Sequence, residues 1–441
     1  MSFPSYPEYK DSGVEWLGEV PGHWGVKKIG HIADLIAGFA FPSDRFEFDP
    51  ESGIPLVRGD NVTEGWLRWG EKGRYWPRSA EYDPRYLLAR DDILVQMDGS
   101  KVGKNWAIVG EGDLPALLVQ RVTRIRANGA LSKFVYSFIA NEMFIRYVDR
   151  AKTDPAIPHI TMKDIADYWI TLPPLPEQTQ IAAFLDRETA KIDALVAEQR
   201  RLMALLKEKR QAVISHAVTR GLNPHAPLKP SGIEWLGDVP EHWDVLPAKR
   251  VSSVFVPQRN KPELNAEGEG HFWVTMEQMR SAEINSAELS VTESAARDAG
   301  TRILQAGAVI ASCVGTFGLA AINNINVIIN QQLQAYIPTD LVDAKFMRHC
   351  VVIAEGYFEQ IGTAATIAYV NQLGFANMSM VLPPKAEQNQ IVEFLEVESA
   401  KFDALTTEAQ RAIDLLQERR TALISAAVTG QIDVRNLVAS A

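Results

Sequence analysis

Two stretches of this 441-residue chain, and one scattered set of residues, are of types that chemistry could use. Gly99–Asn105 reads GSKVGKN, glycines interleaved with lysines as in a phosphate cradle. A nucleotide loop needs four residues between its glycines and Ser or Thr after the lysine. Here three residues separate Gly99 from Gly103, and Asn105 follows Lys104. The later counterpart, Gly315-Thr-Phe-Gly318-Leu319, has no lysine. A turn that sets Lys101 and Lys104 near a phosphate backbone is the better reading. The second stretch is a Pro-Pro pair, LPPL at Leu172–Leu175 and LPPK at Leu382–Lys385. An amino-methyltransferase would need a polar residue before the prolines to accept the target amine's hydrogen bond, and an aromatic after them to stack the flipped base. Both are missing, and no glycine-rich turn for S-adenosylmethionine accompanies them. A rigid helix entry accounts for the prolines. The third candidate set, eight histidines and two cysteines, shows no metal-ligand spacing. The expectation is a chain with no catalytic residues and no metal site.

The elements that carry these stretches are written twice. Leu172–Leu195 (LPPLPEQTQIAAFLDRETAKIDAL) returns 210 residues later as Leu382–Leu405 (LPPKAEQNQIVEFLEVESAKFDAL), with 15 of 24 positions identical. Ser12–Trp24 (SGVEWLGEVPGHW) returns as Ser231–Trp243 (SGIEWLGDVPEHW), ten of thirteen identical at an offset of 219. Repetition of His23–Trp24 as His242–Trp243 points to packing or hydrogen bonding in a turn. Between these markers the bodies share a skeleton: Asp92–Gly103 answers to Ala308–Gly318, Leu117–Arg121 to Ile328–Gln332, and Ile157–Thr161 to Ile367–Asn371. A period this long means duplicated domains, not a solenoid. Short apolar β-branched runs turning at glycines, with helical patches at 133–150 and 345–360, predict mixed α+β bodies.

The long helices show heptad spacing. Leu185, Ile192, Leu206 and Val213 lie on one line and Leu195 and Leu202 on a second; the second copy repeats them as Leu395, Phe402, Leu416, Leu423 and Leu405. Pro176 and Glu177 suit a helix start, and Gly221 and Gly430 a helix stop. Some 44 helical residues would span roughly 65 Å at 1.5 Å per residue. Two such stripes in one chain offer each other a partner, and an intramolecular antiparallel coiled coil is expected rather than helices covering their own domains. The expected layout is a body at 1–171, a helix at 172–221, a body at 222–381 and a helix at 382–441.

Charge narrows the partners. The net charge is −10, and residues 1–171 carry 21 Lys+Arg against 24 Asp+Glu while 221–381 carry 10 against 16. A diffuse polyanion binder is excluded, so nucleic-acid contact would have to come from local patches. With no long apolar run and no export signal, a soluble cytoplasmic protein is expected, without a membrane.

The paired LPP…EQ…I…FL…AK.D.L helices, the paired SG.EWLG.VP.HW openings and the Gly-turn segments resemble the specificity subunit of type I restriction–modification systems, over essentially the whole chain. The resemblance implies two pseudo-twofold-related target-recognition domains separated by two long antiparallel coiled-coil helices. It implies partners too: double-stranded DNA read as a split sequence, two methyltransferase subunits, and restriction–motor subunits. No cofactor is expected on this chain, whereas S-adenosylmethionine, ATP and Mg are expected on those partners. The acidic second body departs from this picture by making its DNA face less obvious. A standalone duplicated methyltransferase or endonuclease, and a coiled-coil scaffold that never touches DNA, are the alternatives.

Within the bodies, candidate DNA contacts follow from where cations and amides cluster. Arg68, Lys72, Arg74 and Arg78 interleave with Trp66, Trp69, Tyr75 and Trp76, which fits either groove packing or an apolar minicore under arginine stems. Lys101, Lys104, Arg121, Arg124 and Arg126 form a second strip. The second body offers Arg259, Lys261, Arg280, Arg297 and Arg302, with Gln331, Gln332 and Gln334 able to pair with adenine edges.

Overall fold

The computed structural model describes residues 3–70, 73–152, 158–363 and 368–437. The chain divides into two compact units, Met1–Gln199 with Arg411–Ala441, and Arg200–Gln410. Each unit therefore owns one globular body and half of each long helix.

In the first unit, a five-stranded sheet runs in the order Ala33–Ala37, Val122–Ala127, Ile93–Gln96, Trp106–Ile108, Glu64–Gly65. All neighbours are antiparallel except the last pair. A three-stranded sheet sets Gly53–Val57 between a parallel Leu117–Leu118 and an antiparallel Tyr75–Pro77. Two short antiparallel pairs, Tyr9–Asp11 with Glu19–Pro21 and Gly25–Lys28 with Trp169–Leu172, complete the strands among the described residues.

The second unit repeats this order strand for strand: Ser252–Phe255, Leu333–Pro338, Val309–Ser312, Ala320–Asn323, Glu283–Ile284, again with only the last pair parallel. Its three-stranded sheet centres on His271–Val274, parallel to Val327–Ile329 and antiparallel to Ser290–Val291. Few of the intervening residues are shared, so the duplication lives in the burial pattern. Val309 and Ala311 pack with Phe346, Met347 and Cys350 of the helix Ala344–Ile353, while Ile310 faces Val274 and Ile329 of the smaller sheet. The strand is apolar on both faces because both are covered. Each helical patch is two helices, not one: Ser132–Ile139 and Glu142–Ala151, then Ala344–Ile353 and Glu355–Ile361.

The long helices run Leu175–Arg220 and Lys385–Val428, 46 and 44 residues. Gln178 and Gln388 fasten their starts. Gln178 Nε2 donates to the Pro173 carbonyl at 2.8 Å while its Oε1 accepts the Leu131 amide at 2.8 Å. Gln388 does the same with Pro383 and Asp343. Gly221 and Gly430 end the helices at φ +72° and +76°. Within the first unit the helix halves run antiparallel, with Thr171 Oγ1 donating to the Val428 carbonyl at 2.6 Å and Arg420 pairing with Asp193 at 3.2 Å. Within the second, Arg210 pairs with Asp403 at 2.6 Å, and Ile214, Ala217 and Val218 share a core with Ile391 and Leu395. Among the described residues no helix is long and apolar enough to cross a membrane.

The seam between the helices corrects one expectation. Leu185, Ile192, Leu395, Phe402 and Leu423 are buried, and Leu206, Val213 and Leu416 half-buried, as the first heptad line requires. Leu195, Leu202 and Leu405 are instead 51%, 42% and 52% exposed. The second line of the seam lies four residues after the first, not three, at Val196, Met203, Ile413 and Ala427. An i+3 line and an i+4 line both neighbour a given residue on a helix. On the i+3 line Lys209 and Arg419 are exposed, whereas Ile181 and Ile391 at the helix starts are buried.

Candidate nucleic-acid interface

The Gly-turn segments lie at one end of each central strand, where three chain segments meet. In the first unit, Met97 N–H donates to the Arg121 carbonyl and Ile160 N–H to the Met97 carbonyl, both at 2.9 Å, and Gly99 N–H donates to Pro158 at 3.0 Å. In the second, Cys313 N–H donates to Gln332, Gly315 N–H to Ala368 and Val370 N–H to Cys313, each at 2.9 Å. The third segment is fixed by a capped helix directly after it. Thr161 Oγ1 accepts the Asp164 amide ahead of Met162–Ala166, and Asn371 caps Gln372–Asn377 in the same way. Ile157 and Ile367, expected in this segment, lie outside the described residues.

This geometry explains the glycines without a phosphate. A Cβ on Gly103 would stand 2.6 Å from Val148, and one on Gly318 would stand 2.9 Å from Glu355, so both let a helix pack against the turn. The amides of Gly99, Val102 and Lys104 are already donated inward, which leaves them unavailable as an anion cradle. Lys101 and Lys104 remain exposed on the rim, beside Arg121, which sits at φ +70° and pairs with Asp98 at 3.2 Å.

The other strip residues are dispersed. Arg68, Arg78 and half-buried Arg74 lie along one segment, Arg68 reaching the Asp60 carbonyl at 3.0 Å and Arg74 lying 4.4 Å from the ring of Phe48. Lys72 lies outside the described residues. Tyr75 and Trp76 are core residues, Trp69 Nε1 donates to Asp113 at 2.9 Å, and Trp66 stays 57% exposed. The interleaved aromatics thus divide into a minicore and one exposed indole.

Arg124 is the clear correction. It is 4% exposed, ion-paired with Asp34 and donating to the Arg85 carbonyl at 3.0 Å, so it cannot reach DNA. Strand Val122–Ala127 alternates its faces, and an arginine on the covered face must be satisfied internally. Arg126 is likewise committed, with two 2.7 Å bonds to buried Asp92.

In the second unit, Arg259, Gln331, Gln332 and exposed Tyr369 gather at the equivalent rim. Gln331 Nε2 donates to the carbonyls of Gln258 and Arg259 at 3.1 and 3.3 Å, and Asn330 Nδ2 donates to Gln332 Oε1 at 3.2 Å. Burial raises the Tyr369 hydroxyl's pKa, with Arg259 opposing. Gln334 does not belong here: it is 1% exposed and donates to Val370 at 2.9 Å. Lys261, Arg280, Arg297 and Arg302 are exposed but local, Arg297 reaching Glu293 and Arg302 lying 4.7 Å from the Phe255 ring. Tyr369 and Asn330, and His159, which bridges to Asp98 in the first unit, were missed in sequence; their places beside Val370, Gln331 and Ile160 in the repeated segments were the signal that could have pointed to them. Among the described residues no group of His, Cys, Asp and Glu is placed to hold a metal ion.

Comparison with known proteins places these features. A family model described as "Type I restriction modification DNA specificity domain" matches residues 21–202 and again 240–414. The chain is 28% identical over 197 residues to the type I restriction enzyme EcoAI specificity subunit of Escherichia coli, covering 44% of this chain and about a third (32%) of that protein. It is 23% identical to the MjaVIII specificity subunit of Methanocaldococcus jannaschii, over 95% of both chains. A solved chain described under "Structural basis underlying complex assembly and conformational transition of the type I R-M system" superposes with a TM-score of 0.71 at 16% identity, covering 93% of this chain and 98% of that one.

Proposed function

Because the chain belongs to the type I restriction modification DNA specificity family, we propose that it is a non-catalytic specificity subunit that reads a bipartite DNA target, one half-site per body. The observation that carries this reading is that the whole body is duplicated strand for strand, with a family match on each copy. A protein that reads two half-sites needs two readers of one architecture with different rims. The rims do differ: Lys101, Lys104 and Arg121 supply cations in the first, Arg259, Gln331 and Gln332 a cation and amides in the second. Cations on phosphates set register, and amides on base edges discriminate.

Methyltransferase and restriction–motor subunits would bind the faces of the helices turned away from the seam. S-adenosylmethionine, ATP and Mg would act on those chains, in the cytoplasm, with adenine N6 as the methylated atom. Single-molecule methylome sequencing of the host with and without this gene tests the proposal. The expected result is loss of methylation at one split motif. Unchanged methylation, or loss at a single continuous motif, would overturn it.

A further inference from the structure

The two units close around the same residues but not in the same way. In the first, Glu177 is wrapped on three sides: His23 Nε2 lies 2.7 Å from Oε1, while Trp24 Nε1 and the Tyr6 hydroxyl donate to Oε2 at 3.0 and 3.3 Å. The Tyr6 ring meets Trp24 edge-on at 5.4 Å and lies 4.8 Å from the Arg435 guanidinium. Tyr6 is 3% exposed, and its segment is tied down by the Asp433 amide donating to the Pro4 carbonyl at 2.7 Å.

In the second unit the same frame is present. His242 and Trp243 bond Glu387 at 2.8 and 2.9 Å, and Gly221 again passes under the tryptophan, where a Cβ would stand 3.0 Å from the indole. Among the described residues, no side chain takes the place that Tyr6 fills. The offset that carries SGVEWLG onto SGIEWLG puts His225 at the position of Tyr6, and His225 is exposed. What is left is a cleft of about 420 Å³, lined by Arg220, Asn223, Ala226, His242, Trp243 and Glu387. The Glu387 side chain is 36% exposed, against 12% for Glu177.

We propose that this cleft takes a tyrosine side chain presented by an extended segment of a partner protein, its hydroxyl on Glu387 and its ring edge on Trp243. The occupied first unit is the template. A phenol satisfies the carboxylate and covers the indole together, whereas a phenylalanine would cover Glu387 without giving it a donor. Arg220 on the rim offers the ring a cation, as Arg435 does for Tyr6.

A synthetic peptide of residues 3–10, FPSYPEYK, is the probe, titrated calorimetrically into the full chain. One equivalent is expected to bind, and the Tyr6→Ala peptide to bind at least about tenfold more weakly, a loss of about 1.4 kcal/mol. Gln390 also lines the cleft, and Gln390→Trp and Ala226→Trp, two separate ways to fill it, should each abolish binding, with thermal unfolding reporting that the variant is folded. No binding, equal binding of the two peptides, or binding that survives in a folded filled variant would overturn the proposal.

Discussion

At the residue scale, the glycines and one histidine give sharp contrasts. Gly430 and Gly300 both have left-handed backbone, φ +76° and +63°, but a Cβ at Gly430 would stand 2.4 Å from Pro21 whereas one at Gly300 meets nothing within 4 Å. Gly300→Ala should therefore cost about 1 kcal/mol of strain, and Gly430→Ala about 3 kcal/mol or more, read as midpoint shifts in denaturant at constant slope. His349 is buried, and desolvation, with Arg348 and then Arg210 adding to it, pushes its pKa from 6.5 down to about 3. The folded chain holds it neutral, so the unfolded state binds the extra proton. Stability is thus full above pH 6.5 and falls as the pH drops from there towards 3, by up to about 1.4 kcal/mol per unit. His349→Leu should flatten that part of the profile; an unchanged slope would mean other groups set it. Sequence could place Gly430 as a helix stop, because a glycine after a heptad run has one common use. It could not reveal that Arg124 is buried, since an arginine in an alternating strand looks the same whether its face meets solvent or a partnered core.

At the element scale, the markers repeated in sequence turn out to hold each other. His23–Trp24 clasps Glu177 and His242–Trp243 clasps Glu387, so the segment opening each body is locked to the start of a long helix. The duplication was legible because these contacts need particular side chains. The sheets between them were not, because a strand of a covered sheet needs only apolar volume, which many sequences supply. The helices show the same limit more finely: the period could be read, but the choice between an i+3 and an i+4 second line depends on which side meets the partner. The neighbouring pair Leu195 and Val196, 51% and 8% exposed, separates them. Val196→Ala should lower stability by about 1–2 kcal/mol and Leu195→Ala by less than about 0.5 kcal/mol. The reverse order in chemical denaturation would restore the i+3 seam.

At the scale of the whole molecule, the division of labour between bodies and helices makes a claim that no single residue can test. Each compact unit contains one complete body, closed by one end of each long helix through the same glutamate, tryptophan and glycine. The helix entries and stops are shared almost residue for residue between units, while the rims are not. If the rims read DNA, a body is exchangeable and its frame is not. Replacing residues 25–171 with the corresponding segment of a relative leaves Trp24 and Glu177 in place. Methylome sequencing should then show a new sequence in one half-site, with the other half-site and the spacer between them unchanged. Inserting a heptad into one long helix should do the opposite, altering or abolishing the preferred spacer while both half-sites persist, because seven residues add about 10 Å of helix and return the seam to nearly the same face. A swap that rewrote both half-sites would mean the two bodies read one surface jointly, and the assignment of one half-site to each would fail.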